Sequence, residues 1–126
     1  MKLRILGNRI RLRLSQSEVA TLSKNQAVEQ HTDFGPGSDE LIYSVKLCES
    51  IRNEPWALFQ SNHIKIEIPE HLGLQWLQSG NTGIENKEYS TQGEGIQILI
   101  EKDFQCLHER GKEDESDSYP NPRAWK

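Results

Sequence analysis

The chain has 126 residues, a length typical of one domain. Charged residues make up 27% of it, apolar residues 34%, and the mean hydropathy is −0.74, so we expect a modest core beneath a very polar surface. The formal net charge of −4 argues against a dedicated nucleic-acid-binding protein, and the sequence contains no apolar run long enough to span a membrane.

Two alternating segments joined by Gly7-Asn8 open the chain. This dipeptide suits a two-residue hairpin turn, which places Ile5 opposite Ile10 and gives the hairpin one apolar face. The other face is wholly basic and comprises Lys2, Arg4, Arg11 and Arg13. Like charges directly opposite one another destabilise a strand pair by up to about 1 kcal/mol, so this face requires negative charge from elsewhere.

Further elements follow in chain order. A capping box at Ser15 and Glu18 predicts a short helix that runs to about Ser23. Apolar alternation predicts strands over 27–34, 41–49, 56–60, 63–68 and 96–102, with a weak strand around 84–89. Pro69 predicts the start of a second short helix, which ends near Gly80.

These elements predict an α+β fold, in which a curled antiparallel sheet or partial barrel of six to seven strands carries two short helices. The lack of regular β-α-β alternation argues against a parallel doubly wound sheet. We expect residues 1–108 to form a single domain. Residues 109–126 are rich in acids and predict a mobile C-terminal tail, because such a segment buries too little apolar surface to offset the entropy of ordering.

The leading functional hypothesis is a non-enzymatic binding protein. Its basic residues Lys2, Arg4, Arg11 and Arg13 would engage an anionic small molecule or protein, or the chain's own acidic tail. The acids at Glu29, Asp33, Glu67 and Glu101 are further candidates for the counter-charge, since charged sheet faces are usually paired or solvated.

The alternative hypothesis is a small barrel enzyme that acts on phosphorylated substrates. Arg4, Arg11 and Arg13 would clamp phosphate, while Glu67 and Glu101 would hold a divalent metal or act as a base. Such a site would resemble the charged lumen of triphosphate tunnel enzymes, but the alternating ExExK motif of that family is missing from the start of this chain. The sequence therefore leaves the choice between an enzyme and a binding protein open.

Cofactor and metal signals are weak. No CxxC, HExxH, Walker or GxGxxG motif is present, so we expect no cofactor, and Cys106 with His108 is too sparse a pair to predict a metal site. Cys48 and Cys106 lie far apart in a chain without a signal peptide, which predicts reduced thiols in a cytoplasmic protein.

Three segments resemble a family of small bacterial proteins of unknown function. They are the opening KLRIxGNxIRLRLSQSEV at 2–19, IEIP at 66–69, and IEKDFxCL at 100–107, which precedes an acidic stretch and Asn121-Pro122. The resemblance spans nearly the whole chain and implies a bacterial cytosolic single domain. It implies no activity and no catalytic residues.

Overall fold

The computed structural model describes residues 1–37, 39–86 and 95–104, and within these ranges the chain forms eight strands and two helices. In order, the elements are β1 (Lys2–Leu6), β2 (Arg9–Leu14), α1 (Gln16–Asn25), β3 (Ala27–Asp33), β4 (Glu40–Cys48), β5 (Trp56–Gln60), β6 (His63–Pro69), α2 (Glu70–Gln78), β7 (Gly83–Glu85) and β8 (Gln97–Lys102). The proposed boundary at residue 108, the tail at 109–126, and Cys106 with His108 lie outside the described residues, as does the end of the weak strand predicted around 84–89.

The opening hairpin has the predicted register. Ile5 pairs with Ile10 and Arg4 with Arg11 across β1 and β2. Gly7 has a φ of 54°, a left-handed conformation that glycine adopts without the steric cost of a Cβ. The backbone carbonyl of Asn8 accepts a hydrogen bond from the backbone N–H of Gln97 at 2.8 Å, so this turn contacts the first residue of β8.

Both predicted helices are present. The Ser15 hydroxyl accepts from the Glu18 backbone, and the Glu18 carboxylate accepts in return from the Ser15 backbone at 2.9 Å, which confirms the capping box. Helix α1 is capped at its C-terminus by Gln26, whose φ of 63° turns the chain directly into β3. Neither α1 nor α2, the helices of the described ranges, has the length and apolar character needed to cross a bilayer.

The strands form two four-stranded sheets rather than one. Sheet A has the order β1-β2-β8-β7 and sheet B the order β3-β4-β6-β5. In both sheets the two central strands run parallel, and each outer strand runs antiparallel to its neighbour. The α+β class and the two short helices are confirmed, but the prediction of one antiparallel sheet with six to seven strands is wrong, and the described sheets do not close into a barrel.

Parallel pairing was not predicted because the connections between the parallel strands contain further strands and are not single helices. Strands β4 and β6 are parallel neighbours because β5 lies between them in sequence and occupies the sheet edge beyond β6. A parallel pair needs a long crossover connection, and here that connection contains an entire strand. The usual β-α-β alternation is therefore absent although each sheet has a parallel centre.

The order of elements repeats although the sequence does not. Each half of the chain reads hairpin, helix, hairpin: β1-β2-α1-β3-β4 and then β5-β6-α2-β7-β8. Each sheet combines the first hairpin of one half with the second hairpin of the other. In this repeat β1, β2, β7 and β8 correspond to β5, β6, β3 and β4. Substituting these strands into the order of sheet A gives β5-β6-β4-β3, which is the order of sheet B read backwards. The two halves are therefore interleaved and cannot separate into independent lobes.

One apolar core joins both sheets and both helices. Its buried members are Ile10, Leu12, Leu14, Leu22, Val45, Leu47, Ile64, Ile66, Ile68, Trp76, Ile98 and Ile100. Because the apolar faces of the two sheets share this cluster, their polar faces are turned away from it. Each sheet therefore presents one outward face, and any surface chemistry of the strands lies there.

A close approach between α2 and β4 gives a stability prediction. A Cβ added at Gly73 would lie 2.3 Å from the Leu47 Cδ2 atom, whereas one added at Gly80 would meet nothing within 4 Å. We expect Gly73→Ala to lower the free energy of unfolding by about 1–3 kcal/mol through overpacking. Gly80→Ala, the matched control, should leave the free energy of unfolding unchanged or slightly higher. Chemical denaturation of both variants tests this, and equal stabilities would contradict it.

Candidate functional site

The outward face of sheet A carries five cations on the two adjacent strands β1 and β2. Lys2 and Arg4 lie on β1, and the cations of β2 that share their face are Arg9, Arg11 and Arg13. We call these five residues the basic face. Four of them were predicted, and Arg9 was missed although it obeys the same alternation as Arg11 and Arg13. The signal was available in the sequence, because the predicted register already sets Arg9 opposite Leu6.

One end of the basic face is neutralised by β8. Parallel pairing sets Arg13 beside Glu101, and the Glu101 carboxylate accepts from Arg11 Nε and lies 3.7 Å from Arg13 Nε. The Lys2 ammonium lies 3.0 Å from the Asp103 carboxylate just beyond β8. A single half-buried carboxylate therefore relieves the repulsion between two guanidinium groups, and a second one pairs with the lysine.

The other predicted counter-charges lie elsewhere. Glu29 and Asp33 are on β3 and Glu67 is on β6, all in sheet B. Of the four strand acids proposed to neutralise the basic face, Glu101 alone is on sheet A. The ion pairs that Glu101 and Asp103 form with the basic face lie at one end of it.

Arg9 occupies the opposite end, next to the hairpin turn. Its Nε atom donates to the neutral Oε1 atom of Gln97 at 2.7 Å, so this contact orients the guanidinium without cancelling its charge. A cleft of about 290 Å³ opens beside it. The cleft is lined on its polar side by Arg9, Arg11, Glu85, Asn86 and Gln97.

Asn86 stiffens the wall of this cleft. The residue is 3% exposed, its amide nitrogen donates to the Ile96 carbonyl at 2.7 Å, and its amide oxygen accepts from the Ile98 backbone at 2.7 Å. These two bonds hold the start of β8 against the end of β7. The side chains around Arg9 therefore stand on fixed backbone, a condition for a preorganised binding site.

The acids and cations of the enzyme hypothesis are not brought together. Glu101 contacts Arg11 and Arg13, but Glu67 projects from the outward face of sheet B, where its strand partners are Lys46 and Trp56. In the described ranges, no group of three His, Cys, Asp or Glu side chains is placed to hold a metal ion. The structure thus brings Glu101 but not Glu67 to the basic face, so the two acids of the enzyme hypothesis do not share a site.

The outward face of sheet B has polar contacts of its own. Ser44 Oγ and His63 Nε2 are 2.7 Å apart, so a hydroxyl and an imidazole form a part-buried contact between β4 and β6. Burial and the neighbouring Glu67 carboxylate raise the pKa of the Cys48 thiol. Its thiolate fraction at neutral pH is therefore small, which disfavours Cys48 as a nucleophile.

His31 sits between two carboxylates on the same face. Its Nε2 atom contacts Glu29, and its Nδ1 atom is 2.6 Å from Glu40 Oε1. Hydrogen bonds to Glu29 and then Glu40 raise the pKa of His31 above its ordinary value. Both ring nitrogens are engaged, so the residue acts as a bridge between strands β3 and β4.

The fold and the face define a small α+β protein with two mixed sheets, one of which carries an exposed cationic surface. The chain belongs to a family of unknown function, DUF7009, whose model matches residues 1–123. This confirms the resemblance of the sequence segments to a family of unknown function. No curated protein and no solved structure matches the chain.

The carboxylates around His31 predict a pH dependence. Because its pKa is raised in the folded protein, its contribution to stability is fully present below the ordinary value of 6.5 and is lost as pH rises through the raised pKa. NMR titration should place the His31 midpoint above 6.5, and Glu29→Gln with Glu40→Gln should return it towards that value. Glu67→Gln, which removes a carboxylate that His31 does not contact, should leave the midpoint in place. A wild-type midpoint at or below 6.5 would contradict the assignment.

Proposed function

We propose that this protein is a non-enzymatic binding protein and that its basic face takes an anionic ligand at the end that carries Arg9. The face comprises Lys2, Arg4, Arg9, Arg11 and Arg13. The observation that carries the proposal is Arg9 itself, because its guanidinium is oriented by a neutral amide at the mouth of a cleft.

The charge balance supports this location. The five cations of the basic face share the outward side of sheet A with Glu85 and Glu101, and Asp103 borders it. The excess is positive although the chain as a whole carries −4. A positive patch on an acidic protein concentrates anions locally while the remaining surface repels them. Anions are therefore directed to the basic face.

Guanidinium chemistry indicates the class of ligand. Arginine presents its nitrogen donors in a planar fork that matches the oxygens of phosphate or carboxylate groups. Arg9 uses Nε for Gln97 and Arg11 uses Nε for Glu101. Each guanidinium has further N–H donors on its two terminal nitrogens. A multiply charged oxyanion of the phosphate class fits two such groups side by side.

The acidic tail enters this proposal as a competitor. The described chain leaves β8 at Lys102, and the Asp103 backbone donates to the Leu14 carbonyl at 2.8 Å, beside the Lys2–Asp103 ion pair. Residues 109–117 therefore follow a point at the border of the basic face, and they include Glu109, Glu113, Asp114, Glu115 and Asp117. Their charge suits the face, so we propose that they compete with the anionic ligand.

A bacterial origin, as the resemblance implies, and a cytoplasmic location belong to the same proposal. The thiol of Cys48 is free in the structure, in keeping with a reducing compartment. A soluble anion such as a phosphorylated metabolite is abundant in that compartment.

Ligand binding gives the first test. At fixed ionic strength, inorganic phosphate, triphosphate and polyphosphate should raise the melting temperature, and a ligand at one hundred times its Kd adds about 2.7 kcal/mol of stability. Arg9→Gln should weaken triphosphate binding by about 1.5–3 kcal/mol, the usual contribution of a hydrogen bond to a charged group. Lys65→Gln, which removes a cation from the outward face of sheet B, is the matched control. The proposal fails if none of the three anions raises the melting temperature, or if Lys65→Gln and Arg9→Gln lose equal affinity.

Tail competition gives the second test. In the full-length chain, Glu113→Gln and Glu115→Gln together should tighten triphosphate binding several-fold. The gain should shrink as salt is added, because exposed charges are screened beyond about 10 Å at 0.1 M ionic strength. A control with Glu49→Gln and Glu67→Gln separates this local effect from a change in net charge. Equal gains in both variants, or no gain in the tail variant, would show that the tail does not compete.

A further inference from the structure

Strand β5 forms an edge of sheet B. Among the described residues it pairs with β6 alone, so the other side of its backbone has no strand partner. The unpaired N–H and C=O groups of such an edge form a template for another strand. Proteins that stay monomeric usually guard an edge with charge, proline, a bulge or a very short strand.

The other three edges of the described sheets are guarded in this way. Strand β1 carries Lys2 and Arg4, and β3 carries Glu29, His31 and Asp33. Strand β7 has three residues, one of which is Glu85. Strand β5 reads Trp-Ala-Leu-Phe-Gln and contains no charged residue. The contrast with β1 is direct, because the two strands occupy the same position in the repeated element order.

The side chains of β5 are apolar and uncovered. Phe59 is 72% exposed and Leu58 is 47% exposed, and they lie on opposite faces of the strand. Trp56 is half-buried, with the Arg52 guanidinium 4.6 Å from its ring centroid. An edge that combines free backbone groups with exposed apolar side chains is suited to association.

We propose that β5 pairs antiparallel with β5 of a second copy of this chain, about a two-fold axis through Leu58. Sheet B of one copy then continues into sheet B of the other as a single eight-stranded sheet. In this register Leu58 lies opposite Leu58, and Ala57 lies opposite Phe59 of the second copy. All five residues of β5 are paired, and Trp56 faces Gln60.

The sequence of β5 favours its own copy as the occupant. A two-fold interface requires a self-complementary surface. In this register the large side chain of Phe59 lies opposite the small one of Ala57, and Leu58 lies opposite Leu58 of the second copy. No like charges become opposed. The equivalent pairing of β1 with a second β1 about Arg4 would set Arg4 against Arg4, which is unfavourable. Because one five-residue strand forms a small interface, the dimer should be reversible on dilution.

Sedimentation velocity over micromolar to millimolar concentrations tests the proposal with the full-length chain. We expect a wild-type monomer–dimer equilibrium. Leu58→Glu should abolish the dimer, because two carboxylates become directly opposed. Within one chain the new carboxylate lies opposite Lys65 on β6, so the fold should be kept. Phe59→Glu, a change at a more exposed position, should also give a monomer.

Leu6→Glu is the matched control. Leu6 is an exposed leucine on the outward face of the edge strand β1 and faces a cation, Arg9, across the hairpin, as Leu58 faces Lys65. This variant should dimerise as the wild type does. Mixing Leu58→Glu with Leu58→Lys should restore association, because the central residue alone meets itself across the axis and the mixed pair has opposite charges.

Three outcomes would overturn the proposal. They are a wild-type chain that remains monomeric at millimolar concentration, a Leu58→Glu dimer that persists, and an equal loss of association in the Leu6→Glu control. Far-UV circular dichroism and melting temperatures of all variants confirm that each one is folded, so that a monomer reports a lost interface.

Discussion

The parallel pairing of β2 with β8 is the contact on which the rest of the structure depends. It joins Arg9–Leu14 to Gln97–Lys102, and it places Leu12 beside Ile100 in the core. A two-stranded hairpin is at best marginally stable in water, and this hairpin also stacks its cations. The strand β8 supplies both missing parts, since it extends the apolar face with Ile98 and Ile100 and brings Glu101 to the charged face.

Local patterns in the sequence predicted local structure well. Gly7-Asn8 determines the hairpin register, Ser15 with Glu18 marks the start of α1, and Pro69 precedes α2, because each signal acts over a few residues. Alternation also located the strands that the structure describes. It could not identify partners: the pairing of β2 with β8 and of β4 with β6 depends on side chains that meet only in the folded chain.

The wrong position expected for the counter-charges follows from the same limit. Glu67 and Glu101 each follow an isoleucine near the end of an alternating strand, so the sequence offered no reason to separate them. Their pairing separates them, because β8 joins the sheet of the basic hairpin and β6 does not. Arg9 was a different case, since its parity with Arg11 already placed it on the basic face.

The interleaved halves also imply an order of assembly. Sheet B is drawn from one continuous segment, Ala27 to Pro69, whereas sheet A needs strands from both ends of the described chain. Contacts between residues far apart in sequence form slowly because a long loop must close first. During synthesis, sheet B can therefore form while the N-terminal hairpin still waits for β8. Until residues 97–102 have been synthesised, β2 has an open edge on the side that β8 later occupies, and Arg11 and Arg13 lack the Glu101 carboxylate.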